Sequence, residues 1–260
     1  IDYYKRKIEN LVGNYSAQLP SQIYPNIFAN AGLMENEGME LALDLKIFQN
    51  DKFRWNATFT GAYNKNEIVS ITSEQFKGTA QNITRVSEGV SIQRLASGQP
   101  VAAFYGRVFA GFSEDGDWLF RNSEGDAVPP SEVGDADFAY LGNSIPKYNL
   151  GLTNNFKIGN FDMTILLRSA LDFKAVNGKR IFHENISYLS RQNLFESALD
   201  QRVNNSPTFS SYYIEDGGYL KLDNVTLGYS LPMENIGFIS NLRVFLTGSN
   251  LLTVTNFSGT

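Results

Sequence analysis

Large apolar residues occupy every second position in several segments of this chain, and this period of two constrains the fold more than any other feature. In residues 39–47 (MELALDLKI) five large apolar residues stand at the odd positions, and Glu, Ala, Asp and Lys stand between them. Residues 53–60 (FRWNATFT) repeat the pattern after a short polar turn. A period of two places alternate side chains on opposite faces of a β-strand. We therefore predict a hairpin with one apolar and one polar face.

Two further hairpins follow along the chain. Residues 148–158 join residues 161–168 through Gly159-Asn160, a pair typical of a tight turn. Residues 219–231 join residues 242–251 through a connection that begins at Pro232 and contains Gly237. The alternation changes phase near Asp223, which predicts a β-bulge. In total the pattern predicts about seven strands.

Short and long connections alternate between these strands. The connections inside hairpins are short, whereas residues 5–37, 64–146 and 172–218 form long connections rich in Ser, Asn, Gly and acidic residues. Compact soluble domains rarely contain three structureless connections of this length. Outer-membrane barrels, in contrast, have short periplasmic turns and long extracellular loops. The sequence therefore predicts an all-β fold, an antiparallel transmembrane β-barrel with its short turns on the periplasmic side.

Four aromatic residues flank two of the short turns: Phe48, Phe53, Phe156 and Phe161. A barrel carries a girdle of aromatic side chains at this level of the membrane, so we predict that these four form the periplasmic girdle. Ordinary cross-strand packing of aromatic residues, as in a soluble sheet, is the alternative.

Composition excludes several classes of protein. The chain of 260 residues has no Cys, so it can form neither a disulfide nor a Cys-based metal site. Its net charge of −5 gives no broad basic surface, and we expect no nucleic-acid partner. No run approaches the roughly 18 to 20 apolar residues of a membrane-spanning helix. A helical membrane protein is excluded, whereas a barrel is not.

An odd number of strands in an open sheet argues that the barrel is incomplete. Bacterial single-chain barrels use an even number of strands, and an open sheet with one apolar face would expose two long edges. We expect residues 1–260 to be only part of a barrel.

An ordered series of motifs resembles one known family. The motifs are NAGLMENEGMEL (30–41), GQP (98–100), FYG (104–106), GNSIPK (142–147), EDGGYLKLDNVTLGY (215–229) and NLLTVTNFSG (250–259). Taken together they resemble the C-terminal region of SusC/RagA-like TonB-dependent transporters of the Bacteroidetes, along nearly the whole chain.

The resemblance implies a location in the outer membrane and a barrel of roughly 22 strands. Residues 1–260 would be its C-terminal portion, without the plug and the final strand or strands. It also implies a SusD-like surface lipoprotein as a partner, energy from TonB with ExbB and ExbD through the N-terminal part, and contact with outer-membrane lipid. The implied function is active uptake of an oligosaccharide, a peptide or a similar nutrient, without catalysis.

Polar residues opposite the apolar face are candidates for the lumen. Arg54, Asn56 and Thr58 lie on one predicted strand, and Asp162 and Arg168 lie on another. A charged side chain is costly at mid-depth in lipid, so we predict that these five contact the lumen or the plug. The alternative is that they only satisfy one another and water.

Three aromatic residues in the longest connection are candidates for substrate contact. Tyr105, Trp118 and Tyr140 have rings that could stack on a sugar or pack against another substrate. A loop Trp can equally anchor its own loop or a partner surface.

The sequence contains no catalytic motif, so we predict no catalytic residues and no cofactor. His183 is the only histidine, and neither a Gly-x-Ser-x-Gly elbow nor a phosphate-binding loop occurs. Acidic stretches at 114–117 and 122–126 occupy a place where the family often has a calcium-like motif, but their spacing does not fit an EF-hand. A solvated acidic loop is the preferred interpretation, with calcium in an extracellular loop as the alternative.

Two other functions remain open at this stage. One is a surface-exposed binding or adhesion protein of the outer membrane, whose long loops would recognise a host or a polymer. The other is a soluble β-rich carbohydrate-active enzyme, whose aromatic residues and loop acids would form a sugar cleft.

Overall fold

A computed structural model of the chain describes residues 1–16, 26–71, 92–201, 203, 205–232 and 241–259. Its strands, in chain order, are β1 (Asp2–Ser16), β2 (Asn26–Gln49), β3 (Phe53–Ile71), β4 (Ala103–Gly106), β5 (Phe109–Phe112), β6 (Trp118–Arg121), β7 (Ala127–Val128), β8 (Ala139–Asn143), β9 (Tyr148–Ile158), β10 (Phe161–Leu171), β11 (Lys174–Val176), β12 (Ile214–Asp216), β13 (Tyr219–Leu231) and β14 (Leu242–Thr255). Its helices are α1 (Gly178–His183), α2 (Ser197–Gln201) and the 3-10 turns Pro130–Glu132, Asp135–Asp137, Ile186–Tyr188 and Ser211–Tyr213. No helix in this described part of the chain is long and apolar enough to cross a membrane.

Seven strands form one open antiparallel sheet in the order β1-β2-β3-β9-β10-β13-β14. The three predicted hairpins are the pairs β2–β3, β9–β10 and β13–β14. Gly159, in the tight turn of the second hairpin, has a φ of +57°, a left-handed conformation that glycine adopts readily. The predicted all-β antiparallel fold and its seven strands are confirmed.

The predicted β-bulge is present on β13. Leu222 and Asn224 pair with the consecutive residues Leu167 and Leu166 of β10, so Asp223 between them is the extra residue. Asn250 on β14 has a φ of +56° opposite this irregularity. The bulge shifts the alternation of β13 by one residue, which explains the change of phase in the sequence.

The prediction of a long connection at residues 5–37 was wrong for most of that segment. β1 continues to Ser16 and β2 already begins at Asn26, so most of this segment is strand. Charged side chains pair across it; for example, Lys5 Nζ lies 2.9 Å from Glu35 Oε2. A strand segment that is polar on both faces has no apolar period, so the sequence pattern could not reveal it.

The two longer connections fold together instead of being structureless. We call their described residues within 92–147 and 172–218 the cap. The cap has its own core, in which buried side chains from both segments meet: Ile92, Phe104, Trp118, Phe120, Ile181, Val203, Phe209 and Tyr213. The expectation of unstructured loops fails because aromatic residues far apart in sequence pack against each other.

The main sheet has one apolar and one polar face. One row of apolar residues crosses six strands in register: Leu43, Phe59, Leu152, Leu167, Leu222 and Leu252. Exposure of this face reaches 74% at Leu246. Monomeric soluble proteins rarely expose so extensive an apolar surface, whereas the outer face of a membrane barrel requires it.

Candidate functional site

The polar face of the sheet carries two adjacent rows near the short turns. The row nearer the turns, which we call the rim row, contains Gln49, Arg54, Lys157, Asp162, Gly228 and Phe245. The next row, which we call the amide row, contains Lys46, Asn56, Asn155, Thr164, Thr226 and Thr247. The register thus brings the predicted lumen residues Arg54, Asn56 and Asp162 close together on one face.

Several polar side chains on this face satisfy one another. Thr58 Oγ1 donates to Asp44 Oδ1 at 2.7 Å, and Thr164 Oγ1 donates to Asn155 Oδ1 at 2.9 Å. Such pairs fit the alternative in which polar residues bind each other and water. They account for Thr58, but Arg54 and Asn56 have no such partner among the described residues.

Asp162 forms a two-pronged ion pair with Arg243. Arg243 Nε lies 3.0 Å from Oδ1 and Nη2 lies 2.5 Å from Oδ2 of Asp162. The two residues belong to β10 and β14, and β13 runs between them. Gly228 of β13 leaves the space open, since a Cβ there would lie 2.6 Å from the Asp162 carboxylate oxygens. Sequence reasoning missed Arg243 because its partner is two strands away.

Arg168 lies farther from the short turns and is also paired. Its Nε lies 2.7 Å from Oδ2 of Asp223, the bulge residue. Arg168 lines a cavity of about 550 Å³ on the polar face, together with Glu40, Thr58 and Thr60. The bulge therefore places a carboxylate where it neutralises a cation beside this cavity.

The four predicted girdle residues lie on the apolar face beside the short turns. The ring centroids of Phe48 and Phe53 are 5.7 Å apart, and those of Phe53 and Phe156 are 6.5 Å apart. Phe161 packs against Tyr229 at 4.5 Å and is 62% exposed. Their neighbourhood and exposure suit a membrane interface, and the girdle itself stays a prediction.

Trp55 forms a hydrogen bond with a polar side chain, Asn154, on the same apolar face. Asn154 projects its amide there, between Ala57 and Ile165 in register. The indole N–H of Trp55 donates to Asn154 Oδ1 at 3.1 Å. A polar group without a hydrogen bond in lipid costs roughly several kcal/mol of free energy. The bond from Trp55 lowers this cost for the amide of Asn154.

Trp118 lies inside the core of the cap. It is 1% exposed, its ring stacks 6.0 Å from Phe120, and its indole N–H donates to the Ser206 carbonyl at 3.2 Å. A ring in this position offers no surface to a substrate. The burial corrects the prediction of substrate contact at Trp118 and favours the alternative, an anchor of its own loop.

The other two predicted substrate contacts lie side by side on the cap. The ring centroids of Tyr105 and Tyr140 are 5.0 Å apart. The Arg94 guanidinium lies 4.4 Å above the Tyr105 ring, so that face of the ring is covered. Tyr140 is 37% exposed, and burial of its hydroxyl raises the pKa of Tyr140 above the ordinary value. Of the three candidates, Tyr140 has the most accessible ring.

Tyr140 lines a cavity of about 360 Å³ that is formed by both segments of the cap. Four charged residues of alternating sign share this cavity: Lys147, Asp172, Lys174 and Asp216. Lys147 Nζ bonds Asp172 Oδ2 at 2.7 Å, and this bond raises the pKa of Lys147. Asp172 has a φ of +57°, an uncommon backbone conformation for a residue other than glycine. The site offers both charges and the aromatic residues Tyr140 and Phe173 to a ligand.

Glu215 fastens the cap to the end of β14. Its carboxylate accepts the Ser258 backbone N–H at 2.7 Å, the Asn177 amide at 3.0 Å and Arg180 Nη1 at 3.1 Å. Burial alone would raise the pKa of Glu215, but the hydrogen bonds from Ser258, Asn177 and Arg180 outweigh it and hold the pKa below the ordinary value. We call this group the latch. It brings together the EDGG and NFSG motifs, which are distant in sequence.

Arg180 also connects the latch to the cap interior. Its Nε bonds Glu184 Oε2 at 2.8 Å, and its guanidinium lies 4.2 Å from the Tyr212 ring centroid. Tyr212 donates its hydroxyl to Glu184 at 3.1 Å, and burial raises the pKa of Tyr212 to about 12. Arg180, Glu184 and Glu215 are thus paired and hydrogen-bonded, as charges with little solvent exposure require.

The acidic stretches form tight turns. Asn122 Oδ1 accepts the backbone N–H groups of Glu124 at 3.1 Å and Asp126 at 2.8 Å. The Asp137 carboxylate accepts Gly134 N–H at 2.8 Å and Ser123 N–H at 2.7 Å, and these bonds lower the pKa of Asp137. Among the residues that the structure describes, no three His, Cys, Asp or Glu side chains lie close enough to hold a metal ion.

The chain is similar over its whole length to curated TonB-dependent receptors. TonB-dependent receptor P3 of Formosa agariphila is 25% identical, and the match covers 99% of this chain and 28% of the receptor. TonB-dependent receptor SusC of Bacteroides thetaiotaomicron is 23% identical over 100% of this chain and 27% of SusC. No protein-family model matches the chain. This chain spans less than a third of the length of either relative.

Solved structures share the fold. A RagAB peptide importer in a closed-closed state has a TM-score of 0.82 and 23% identity, covering 99% of this chain and 30% of that chain. A RagAB peptide transporter has the same TM-score, covering 98% and 29%. The resemblance drawn from the motifs and the expected fold, part of an antiparallel β-barrel, are confirmed. The relatives found are receptors and transporters, and the expected outer-membrane location agrees with them.

Proposed function

We propose, from the likeness of this chain to TonB-dependent receptors of the SusC and RagA kind, that the protein it represents imports a nutrient through an outer-membrane barrel. Residues 1–260 would form the C-terminal portion of that barrel. The observation that carries the proposal is the main sheet, with an exposed apolar row on one face and hydrogen-bonded polar rows on the other. This two-faced sheet suits a barrel wall between lipid and a wet lumen.

The cavity beside Tyr140 is the proposed substrate contact. Tyr140 supplies an exposed ring, and Tyr105 supports it at 5.0 Å. Lys174 has no ion pair among the described residues, so its ammonium is available to an acidic group of a ligand. Charges of both signs favour a peptide over a neutral oligosaccharide. The similar RagAB structures, which are described as a peptide importer, point the same way.

The proposed partners follow from the same likeness. A SusD-like lipoprotein would cover the cap, and TonB with ExbB and ExbD would supply energy through another part of the protein. Outer-membrane lipid would contact the apolar face, with Phe48, Phe53, Phe156 and Phe161 as the periplasmic girdle. Arg54, Asn56, Thr58, Asp162 and Arg168 would face the lumen or the plug, the last two already in ion pairs. No cofactor takes part in this proposal.

Fractionation and uptake of labelled substrate test the function. The full open reading frame is expressed in its own host, and detergent extracts of the outer membrane are probed for the protein and for a bound lipoprotein. We expect both, together with uptake of labelled peptides that stops when TonB is removed. A folded monomer that is soluble without detergent contradicts the proposal. Binding at the cell surface with no TonB-dependent uptake would instead indicate an adhesion protein.

A further inference from the structure

Two cations lie directly opposite each other on the polar face. Arg54 of β3 pairs in register with Lys157 of β9, and both side chains are exposed. Neither has an ion pair among the described residues. Like charges directly opposite each other on neighbouring strands destabilise a sheet. A sequence that keeps both cations needs a compensating interaction.

The nearest carboxylate, Asp162, acts electrostatically on Lys157 but shares its charge with Arg243. Asp162 is the register neighbour of Lys157, but Arg243 binds both of its oxygens, at 3.0 and 2.5 Å. Arg54, Lys157 and Arg243 together therefore face a single carboxylate in the rim row. Asp51, in the adjoining turn, shares a surface depression with Arg54 but forms no ion pair with it. The group keeps an excess of positive charge.

Amide groups from the amide row add hydrogen-bond donors at the same place. Asn155 uses its Oδ1 to accept from Thr164, at 2.9 Å. Its Nδ2 group therefore remains as a donor without an acceptor among the described residues. Asn56, its register neighbour, also has no hydrogen bond there. Arg54, Lys157, Asn56 and Asn155 line one cavity of about 260 Å³, together with Asp162, whose carboxylate is bound by Arg243.

We propose that Arg54 and Lys157, with the amides of Asn56 and Asn155, form a binding site for an anionic group of the carboxylate class. The guanidinium offers paired N–H donors to a carboxylate, and the ammonium and amide add further donors around it. The proposal rests on the proposed function, which turns this face toward the lumen. The anion is either a carboxylate from another part of the same protein or a soluble carboxylate that enters the lumen.

The sign of a stability change tests the site. Arg54→Gln, Lys157→Gln and the double variant are made in the full-length protein, purified in detergent, and unfolded in urea. We expect each single variant to unfold at lower urea than the wild type. The double variant should lose less than the sum of the two, because both residues bind one group. If no anion is bound, removal of one cation relieves repulsion, and an unchanged or raised midpoint overturns the proposal.

Lys52→Gln is the matched control. Lys52 lies in the neighbouring turn, is exposed and forms no ion pair among the described residues, so its variant loses the same charge outside the site. We expect an unchanged midpoint for it. An equal fall for Lys52→Gln would assign the effect to net charge and overturn the site.

Sodium succinate identifies the source of the anion. A midpoint that rises with succinate at constant ionic strength in the wild type, but not in the double variant, indicates a soluble anion. If the urea midpoint does not change with succinate but the single variants are destabilised, the anion is a carboxylate of the protein itself. Fractionation of the same strains separates the two proposals. A wild-type protein absent from the outer membrane defeats the proposed function, whereas a normally located barrel with unaffected variants defeats only the anion site.

Discussion

At the scale of single residues, Gly228 shows how a small side chain determines an ion pair. Arg243 reaches Asp162 only by passing over β13 at this position. Sequence patterns predicted that Asp162 faces the polar side, but not its partner. Register between non-adjacent strands depends on the three-dimensional order of the sheet, which alternation along one strand does not contain.

Gly228→Ala is therefore expected to destabilise the sheet. The new methyl would lie 2.6 Å from the Asp162 oxygens, so the carboxylate and Arg243 must separate. Overpacking of this kind costs about 1 to 3 kcal/mol, and we expect a lower urea midpoint in the purified full-length protein. Gly178→Ala is the control, because a Cβ there meets nothing within 4 Å. Equal stability of the two variants would contradict the account of Gly228.

Tyr140 tests the proposed substrate cavity. Tyr140→Ala removes the exposed ring, and the loss of one aromatic contact of about 0.5 to 1.5 kcal/mol should weaken substrate affinity roughly twofold to tenfold. Affinity is measured on the purified full-length protein by calorimetry with the transported peptide. Tyr148→Ala is the control, since Tyr148 has similar exposure but packs against Tyr63 on the apolar face. Unchanged affinity in Tyr140→Ala would remove this residue from the site.

Glu215 makes the latch dependent on pH. Its folded pKa lies below the ordinary value of 4.5, so the latch is stabilised above about pH 4.5 and loses that stability as the pH falls through the lower, folded pKa. We expect the wild-type cap to resist proteolysis at pH 7 and to become sensitive on acidification below pH 4.5. Glu215→Gln should be more sensitive at pH 7 and change less with pH. Identical pH profiles in both proteins would contradict this role of Glu215.

At the scale of elements, the sequence predicted best where one face of a strand is apolar and the other polar. The hairpins β2–β3, β9–β10 and β13–β14 and the bulge at Asp223 follow from that alternation. The alternation does not predict the outer parts of β1 and β2, because charged pairs such as Lys5 with Glu35 hold these parts together. The cap was missed for another reason: its core joins residues from two segments with the sheet strands β9 and β10 between them.

The shared core predicts that both segments of the cap unfold together. Trp118→Ala removes a buried ring from this core, at a cost of about 3 to 5 kcal/mol. We expect new protease sites in both 92–147 and 172–218, while the heat-dependent gel mobility of the folded barrel is kept. Trp118→Phe, which retains most of the packing, serves as the control. New cleavage confined to the segment around residue 118 would show that the two segments fold separately.

At the scale of the whole molecule, the proposed function requires that the apolar face of the sheet meets lipid and the polar face meets water. The apolar row through Leu43 and the polar row through Asp44 belong to adjacent residues of one strand, so a single step along β2 should change the environment completely. The cap lies at the end of the sheet opposite the short turns, as an extracellular cover would. This arrangement explains a surface that would make a soluble protein aggregate.

Single-cysteine labelling of β2 in intact outer membranes tests this claim most directly, because the chain itself contains no Cys. Cysteines replace residues 41–46 one at a time, and each is spin-labelled to measure its accessibility to oxygen, which partitions into lipid, and to a water-soluble nickel complex. A barrel wall predicts strict alternation, with Leu43→Cys accessible to oxygen and Asp44→Cys accessible to the nickel complex. Equal access of the nickel complex to both positions would contradict the assignment of this sheet to a barrel wall.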